Sequence, residues 1–241
     1  MGGALLYRRI LLKLSGEAFS REGKLGIDQE MLGWLAGEIG SARKSGVEIA
    51  VVVGGGNLLR GASVAGSLIR RATADWMGML ATVMNGLALR DALESRGLPA
   101  LLLSSVPVAG VCDPWSGRSC REALATGKVA ILAGGTGNPH VTTDSAAALR
   151  AVEIEADVLL KATKVDGIYS GDPRTCPDAV RYDRLTYEEF LEKKLRALDL
   201  AAVALCMDNR MPVVLFNMFE SGNIESALRG EVEGTTLVAG T

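Results

Sequence analysis

The sequence predicts an α/β protein, a three-layer α/β/α sandwich with a mainly parallel central sheet. Short runs of Val, Ile and Leu alternate with longer stretches of helical periodicity along the chain. The runs are continuously aliphatic, which is typical of strands that helices cover on both faces. Strands that alternate with helices form parallel sheets through right-handed crossovers.

The elements follow in chain order. Aliphatic runs predict six or more strands, at residues 8–14, 47–53, 100–104, 129–133, 157–162 and 213–217. Intervening stretches predict helices at residues 28–44, 63–96, 144–155, 186–194, 198–210 and 221–228. Two turn-rich segments follow strands: 106–120, interpreted as a lid or surface excursion, and 167–178. Loops at the carboxyl ends of strands build the ligand crevice of such sheets, so we expect the site there.

The length predicts one domain. Single α/β units of about 200 to 250 residues are common, and this chain has 241 residues. No Ser/Gly linker, charge block or tandem repeat divides it, so residues 1–241 are assigned to a single domain.

Composition argues against several classes of function. The chain has one His, 29 Gly, and 26 Lys plus Arg against 28 Asp plus Glu. One histidine leaves little for zinc sites or His-based proton relays. The net charge of −2 and the 5% aromatic content argue against a nucleic-acid surface. No apolar run approaches the ~18 residues of a membrane span, the first residues lack the apolar region and cleavage site of a signal peptide, and the four cysteines form no CxxC pair. We therefore expect a cytoplasmic protein without membrane association.

Lysines interrupt two predicted strands near their ends. Lys13 precedes a Ser-Gly turn, and Lys161 occupies the same place in the fifth strand. A buried ammonium group is costly unless an anion meets it. Lys13 alone could snorkel from an edge strand or pair with a carboxylate. Two lysines at strand ends of one parallel sheet would converge on one crevice and indicate polyphosphate chemistry.

Glycine-rich segments follow the second and fourth strands. The first segment contains Gly54, Gly55 and Gly56, with Arg60 nearby. Glycines leave backbone amides uncovered by side chains, so these amides could bind a phosphate. Alternatively, the segment is a tight turn that binds no ligand. Residues 134–145 lead into an alanine-rich helix, and Thr142, Thr143 and Asp144 are candidate N-caps for it, a role that does not exclude ligand binding. The two hydroxyls could hold a second phosphate. The lone imidazole, His140, is predicted to pack or contact a ligand.

These motifs, in this order, resemble the amino acid kinase superfamily and, more closely, the bacterial uridylate (UMP) kinase family. The segments that carry the resemblance are residues 10–17, 53–57, 77–86, 136–144, 161–167 and 199–202. The resemblance covers residues 8 to 238. It implies Mg²⁺-dependent transfer of the ATP γ-phosphoryl group to UMP, giving ADP and UDP, in pyrimidine nucleotide biosynthesis. It also implies a homohexamer built from dimers, activation by GTP and inhibition by UTP.

The resemblance also implies which residues form each subsite. The ATP side comprises Lys13, Leu14, Ser15, Gly16, Gly56, Arg60, Thr163, Tyr169 and Asp172. The UMP side comprises Gly55, Asp75, Thr136, Gly137, Asn138, Pro139, His140, Val141, Thr142 and Thr143, with Asp75 on the ribose. The segment associated with GTP comprises Arg21, Glu22, Gly23, Lys24, Leu25 and Gly26. His140 and Val141 stand where the resemblance implies a pair of aromatic residues.

The chemistry implied by the resemblance needs no histidine. A phosphate oxygen of UMP is already anionic near neutral pH, so no general base is required. Lys13 and Lys161 are expected to stabilise the transferring phosphoryl group, and Asp144 to order Mg²⁺ through water. No carboxylate cluster marks a metal site on the protein itself, so we expect the magnesium to arrive with the nucleotide.

Two alternatives stay open on sequence alone. One is another kinase of the superfamily, acting on a carboxylate or carbamate such as acetylglutamate. The other is a non-catalytic nucleotide- or oxyanion-binding protein on the same scaffold.

Overall fold

The computed structural model describes residues 5–59, 66, 68–171, 173, 175, 176 and 178–240. Arg60 and Asp172, both predicted on the ATP side, lie outside the described residues. The strands are β1 Arg9–Leu14, β2 Glu48–Val53, β3 Ala100–Ser104, β4 Asp113–Pro114, β5 Val129–Ala133, β6 Val158–Thr163, β7 Ile168–Tyr169, β8 Arg181–Tyr182, β9 Arg184–Thr186, β10 Val213–Asn217 and β11 Gly234–Val238. The helices are α1 Gln29–Lys44, α2 Arg71–Glu94, α3 Gly117–Ala125, α4 Thr143–Glu153, α5 Tyr187–Glu192, α6 Leu200–Asp208 and α7 Asn223–Leu228.

Nine of these strands form one sheet in the order β4-β3-β5-β2-β1-β6-β10-β11-β9. Every neighbouring pair is parallel except β10 with β11. β7 and β8 form a separate hairpin. The predicted fold class is confirmed, and all six predicted strands are present within one residue at each end. Residues 15–157 lie between β1 and β6 in the chain, but the crossovers make these two strands neighbours at the centre of the sheet.

The helices cover the sheet on two faces. Ile10 and Leu12 of β1 pack in one buried cluster, which includes apolar side chains of α1, α2 and α7. Leu11 belongs to the second cluster, which includes side chains of α3, α4, α5 and α6. Because successive residues of a strand point to opposite faces, β1 contributes to both clusters. The long continuous aliphatic runs of the sequence are thereby explained.

Three features differ from the predictions. Of the long helix predicted at 63–96, the structure describes a helix over Arg71–Glu94 that begins after Arg70, which has extended backbone angles; residues 63–65 and 67 lie outside the described residues. The excursion predicted at 106–120 contains the edge strand β4 and the first turn of α3, whose Cys120 is fully buried. The strands β9 and β11 are not predicted, because β9 has only three residues and β11, with the sequence Gly-Thr-Thr-Leu-Val, is not a continuous aliphatic run. Among the described helices, none is both long and apolar enough to cross a membrane.

Candidate active site

Two lysines lie side by side at the ends of the two central strands. In the parallel pairing of β1 with β6, Lys13 stands directly opposite Lys161. Two residues earlier on each strand, Leu11 and Leu159 pack in the cluster that includes α4. Residues two apart on a strand share a face, so both lysines project toward α4.

Asp144, in the first turn of α4, bridges the two lysines. Its Oδ1 lies 2.7 Å from Lys13 Nζ, and its Oδ2 lies 2.5 Å from Lys161 Nζ. Lys161 Nζ also donates to the carbonyl of Ala197 at 2.5 Å. The lysine side chains are 10% and 11% exposed. Lys13 therefore pairs with a carboxylate and does not snorkel from an edge strand. The same carboxylate, that of Asp144, also pairs with Lys161.

The charges of this cluster shift the pKa values of its members. Burial raises the pKa of the Asp144 carboxyl, but the charges of Lys13 and Lys161 outweigh it, so this pKa lies below its ordinary value. Burial also lowers the pKa of the Lys161 ammonium, and the attraction of Asp144 only partly offsets this. Two cations and one carboxylate leave an excess positive charge, which suits a polyphosphate ligand.

A second helix holds the start of α4 in place. Thr142 is the N-cap of α4, because its hydroxyl accepts hydrogen bonds from the amides of Asp144 and Ser145. Asp199 is the N-cap of α6, and its carboxylate also accepts hydrogen bonds from the hydroxyls of Thr142 and Ser145. Asp144 is thus presented to the lysines from a helix end that is anchored on both sides.

The first glycine-rich loop packs backbone against backbone with the turn after β1. A Cβ atom on Gly16 would lie 2.4 Å from Gly56 N, and one on Gly54 would lie 2.7 Å from Gly16 N. Gly54 N donates to the carbonyl of Leu14 at 2.9 Å. Side chains at these positions would force the two loops apart, so the glycines keep their amides close to Lys13.

A buried pair of asparagines supports this loop. Asn85 of α2 donates to the carbonyl of Gly54 at 2.7 Å and to Asn57 Oδ1 at 2.7 Å. Asn57 returns a hydrogen bond to Asn85 Oδ1 at 3.1 Å and donates to the carbonyl of Gly26 at 2.9 Å. Both amide groups therefore use both of their N–H donors, which makes the pair a fixed joint between α2 and the loop.

The second glycine-rich segment is held between α2 and the end of β3. Gly134, Gly135 and Gly137 have φ values of 75°, 57° and 79°, a region that glycine enters without strain. Gly134 N donates to the hydroxyl of Thr82 at 2.7 Å. A Cβ atom on Gly134 would lie 2.7 Å from the amide nitrogen of Val106.

The two segments enclose a cavity of about 240 Å³. Five residues predicted on the UMP side line it, namely Gly55, Asp75, Asn138, Val141 and Thr143. It is also lined by Gly56 from the predicted ATP side and by residues without a predicted role, namely Leu59, Ala74, Gly78, Met79, Thr82 and Gly135. Five further residues predicted on the UMP side are not among its lining residues: Thr136, Gly137, Pro139, His140 and Thr142.

Asp75 closes one wall of this cavity. Its carboxylate accepts hydrogen bonds from Arg71 Nε and from the backbone amide of His140, both at 2.9 Å. Burial raises the pKa of Asp75, but the His140 amide and Arg71 outweigh it and hold this pKa below its ordinary value. His140 has a φ of 68°, so its contact with Asp75 is made by the backbone.

The predicted ATP-side residues fall into two groups. Residues 13–16 and Gly56 lie together at the junction of the two loops. Thr163 ends β6, where its hydroxyl donates to the carbonyl of Val165 at 2.6 Å. Tyr169 donates to the carboxylate of Asp166 at 2.9 Å. Neither Thr163 nor Tyr169 lines the cavity described above.

The segment predicted for GTP lies against the first glycine-rich loop, which contains Gly56 of the predicted ATP side. The amide of Gly26 donates to the carbonyl of Asn57 at 2.9 Å. Two further cavities lie on this side of the molecule, and their lining residues include Arg21, Glu22 and Gly56. Lys164 lines both of them. Lys164 Nζ lies 3.4 Å from Glu17 and 3.6 Å from Glu22.

The side chains that could ligate a metal ion limit how such an ion could bind. Within the described ranges, no group of three or more His, Cys, Asp or Glu side chains could hold one. Asp144 already faces two ammonium groups, although its Oδ1 accepts no hydrogen bond of ordinary geometry from the described residues. These residues fit a magnesium ion that the nucleotide carries and that Asp144 meets through water.

Sequence reasoning missed most of the supporting contacts. It assigned no role to Asn57, Asn85, Thr82 or Asp199, which hold the glycine loops and α4 in place. All four lie within the segments that carry the family resemblance, and that was the available signal. Their partners are distant in the chain, so no local pattern identifies them.

Comparisons with known proteins agree along nearly the whole chain. The profile of the amino acid kinase family matches residues 8–217. A uridylate kinase of Vibrio cholerae is 52% identical over 231 residues, 96% of this chain and 95% of that protein. One from Shewanella putrefaciens is 51% identical over 233 residues, 97% of this chain and 95% of that protein. The crystal structure of a UMP kinase from Bacillus anthracis superimposes with a TM-score of 0.94 at 33% identity, covering 98% of this chain and 97% of the other.

Proposed function

This chain belongs to the amino acid kinase family and, within it, to the uridylate kinases, and from this premise we propose that it transfers the γ-phosphoryl group of ATP to UMP. The products are ADP and UDP. The observation that carries the proposal is the cluster of Lys13, Asp144 and Lys161 beside the two glycine loops.

In the proposed reaction a phosphate oxygen of UMP attacks the γ-phosphorus while the bond to the ADP oxygen breaks. The attacking oxygen is already anionic, so no side chain has to remove a proton. Lys13 and Lys161 offset the negative charge that spreads over the transferring group. Asp144 holds both ammonium groups at one place, and the amides of Gly55 and Gly56 orient the phosphates. We propose the 240 Å³ cavity as the UMP side.

We propose that Mg²⁺ enters with ATP, with Asp144 meeting it through water. Bound there, the ion would neutralise charge on the phosphates.

Regulation, assembly and location are proposed from the family resemblance. We propose activation by GTP through residues 21–26, inhibition by UTP, and a role in pyrimidine nucleotide biosynthesis in the cytoplasm. The contact of Gly26 with Asn57 supports a link between that segment and the ATP side. We also propose that residues 1–241 form one domain, which is supported by a sheet that takes strands from residue 9 to residue 238.

A homo-oligomer, specifically a hexamer, is part of the same proposal. An apolar face of α2 supports self-association: Trp76, Met77, Leu80 and Met84 are all exposed and share one side of the helix. A second copy of this chain would cover it.

A coupled assay of ADP release tests the proposed function. UMP, CMP and acetylglutamate are supplied separately with Mg·ATP, and we expect turnover with UMP well above that with either other acceptor. Turnover with acetylglutamate but not UMP would instead indicate the other kinase class. No ADP release with any acceptor, together with tight nucleotide binding, would indicate a binding protein.

A further inference from the structure

A buried arginine that the proposed reaction does not use lies next to the cavity. Arg150, in the third turn of α4, is 4% exposed. Its Nη1 lies 2.5 Å from Glu153 Oε2, its Nη2 donates to Ser105 Oγ at 2.8 Å, and the ring of Trp115 covers it at 4.2 Å. A buried charge is costly, so each of its contacts calls for an explanation.

The contact with Ser105 leads into the cavity wall. Ser105 Oγ donates to the carbonyl of Gly135 at 2.9 Å, and Gly135 lines the cavity. A guanidinium group can only donate hydrogen bonds, and a serine hydroxyl has a single hydrogen. Because Arg150 donates to Ser105 Oγ, the hydroxyl hydrogen is left for the carbonyl of Gly135. Arg150 thereby sets the direction in which Ser105 donates.

This bond fixes a peptide plane that would otherwise turn easily. Gly134 and Gly135 both have positive φ values, 75° and 57°, and glycine passes between backbone conformations with little steric resistance. In a trans peptide the N–H points opposite to the carbonyl. Holding the Gly135 carbonyl toward Ser105 therefore holds the N–H of Thr136 pointing in the opposite direction, away from Ser105.

α4 connects this contact to the lysine cluster. Asp144 and Arg150 lie six residues apart on the same helix, about 9 Å along its axis. One end of the helix meets the two lysines, and the later turn holds the cavity wall through Ser105. A single rigid element can thus set the distance between the two.

We propose that Arg150 and Ser105 are positioning residues for the UMP side, acting through the carbonyl of Gly135. The inference rests on the proposed function, in which the cavity receives UMP. Neither side chain is expected to touch the transferring phosphoryl group. Their loss should weaken UMP binding and leave ATP binding and the chemical step largely intact.

The test compares KM for UMP, KM for ATP and kcat in four variants of the full-length enzyme. Ser105→Ala removes the relay, and we expect KM for UMP to rise about five- to tenfold, the effect of losing one hydrogen bond. KM for ATP and kcat should stay within about twofold. Ser105→Thr keeps the hydroxyl and should restore KM for UMP. Arg150→Met should raise KM for UMP, and the double variant with Ser105→Ala should be no worse than the more impaired single one.

Ser95→Ala is the matched control, because the Ser95 hydroxyl bonds only to Ala92 O at the end of α2 among its described contacts. Calorimetric titration of UMP and a thermal unfolding scan accompany the kinetics, so a fold defect in Arg150→Met is recognised. An unchanged KM for UMP in Ser105→Ala, or an equal rise for both substrates, would overturn the inference. Failure of the unaltered enzyme to bind and phosphorylate UMP would overturn the proposed function instead.

Discussion

Lys13 and Lys161 occupy directly opposed positions on adjacent strands, where like charges repel each other. Asp144 makes the arrangement possible because each of its carboxylate oxygens forms an ion pair with one of the lysines. Since the three charges do not cancel, the cluster attracts a polyanion. Burying two like charges side by side opposes folding, whereas binding a polyanion requires both charges. The Asp144 carboxylate offsets part of the repulsion and leaves an excess positive charge.

Removing either lysine should impair the chemical step. We expect Lys13→Ala and Lys161→Ala each to lower kcat at least ~100-fold, as for loss of a preorganised charge in the transition state. Steady-state kinetics with UMP and Mg·ATP measure this, and Lys128→Ala, at an exposed lysine, is the control. Unchanged turnover in both variants would contradict the proposed mechanism.

Removing the carboxylate should change the pH dependence of activity. Asp144 raises the pKa of Lys161 against the effect of burial, so Asp144→Asn should lower that pKa further. Charge stabilisation needs the protonated ammonium, which is lost as pH rises through this pKa. The alkaline fall in kcat/KM should therefore begin at lower pH in the variant than in the unaltered enzyme. A pH profile with an unshifted alkaline limb would contradict this.

At the scale of elements, α2 and α4 position loops that have little structure of their own. α2 holds the first glycine loop through Asn85 and the second through Thr82. α4 carries Asp144 at its start and is tied to α6 by Asp199. Glycine loops offer amides to a ligand because they lack side chains, so neighbouring helices have to supply their rigidity.

The asparagine joint should contribute measurably to stability. Asn85 is fully buried, so Asn85→Ala removes its hydrogen bonds and leaves Gly54 O and Asn57 without that partner. We expect the free energy of unfolding to fall by about 1–3 kcal/mol, measured by urea denaturation. Asn209→Ala, at an exposed helix end, should change it by less than about 0.5 kcal/mol. Equal effects of the two substitutions would contradict the proposed role.

At the scale of the whole molecule, the sheet divides the helices into two layers with different tasks. One layer contains α2, which supports the loops and exposes an apolar face; the other contains α4, which carries Asp144 and Arg150. The site lies where the two layers meet the carboxyl ends of the central strands. An oligomer formed through α2 would therefore place its interface next to Asp75, which is on the same helix.

Charging the apolar face of α2 should disrupt assembly. We expect Leu80→Glu combined with Met84→Glu to shift the protein to a smaller species, because two buried carboxylates would oppose association. Size-exclusion chromatography with light scattering measures the mass. Leu200→Glu, at an exposed leucine on α6, should leave the mass unchanged. An unaltered mass in the double variant would show that this face is not an interface.

Local patterns in the sequence were sufficient for much of the fold. Continuous aliphatic runs marked the six long strands, and the Thr-Thr-Asp segment marked the start of α4. The edge strands β4 and β9 escape prediction because they have two and three residues, and β11 escapes it because its first three residues, Gly-Thr-Thr, are not aliphatic. The periodicity does not mark the start of α2 at Arg71, which follows the extended backbone of Arg70.

The sequence by itself determined the fold class, the six strands, the lysines at strand ends and the glycine loops, because each depends on residues close in the chain. Only the tertiary structure decided that Asp144 bridges Lys13 and Lys161, and that Arg150 reaches Gly135 through Ser105. The physical reason is that strand order and helix packing choose which distant side chains meet, and these choices depend on the packing of the whole molecule.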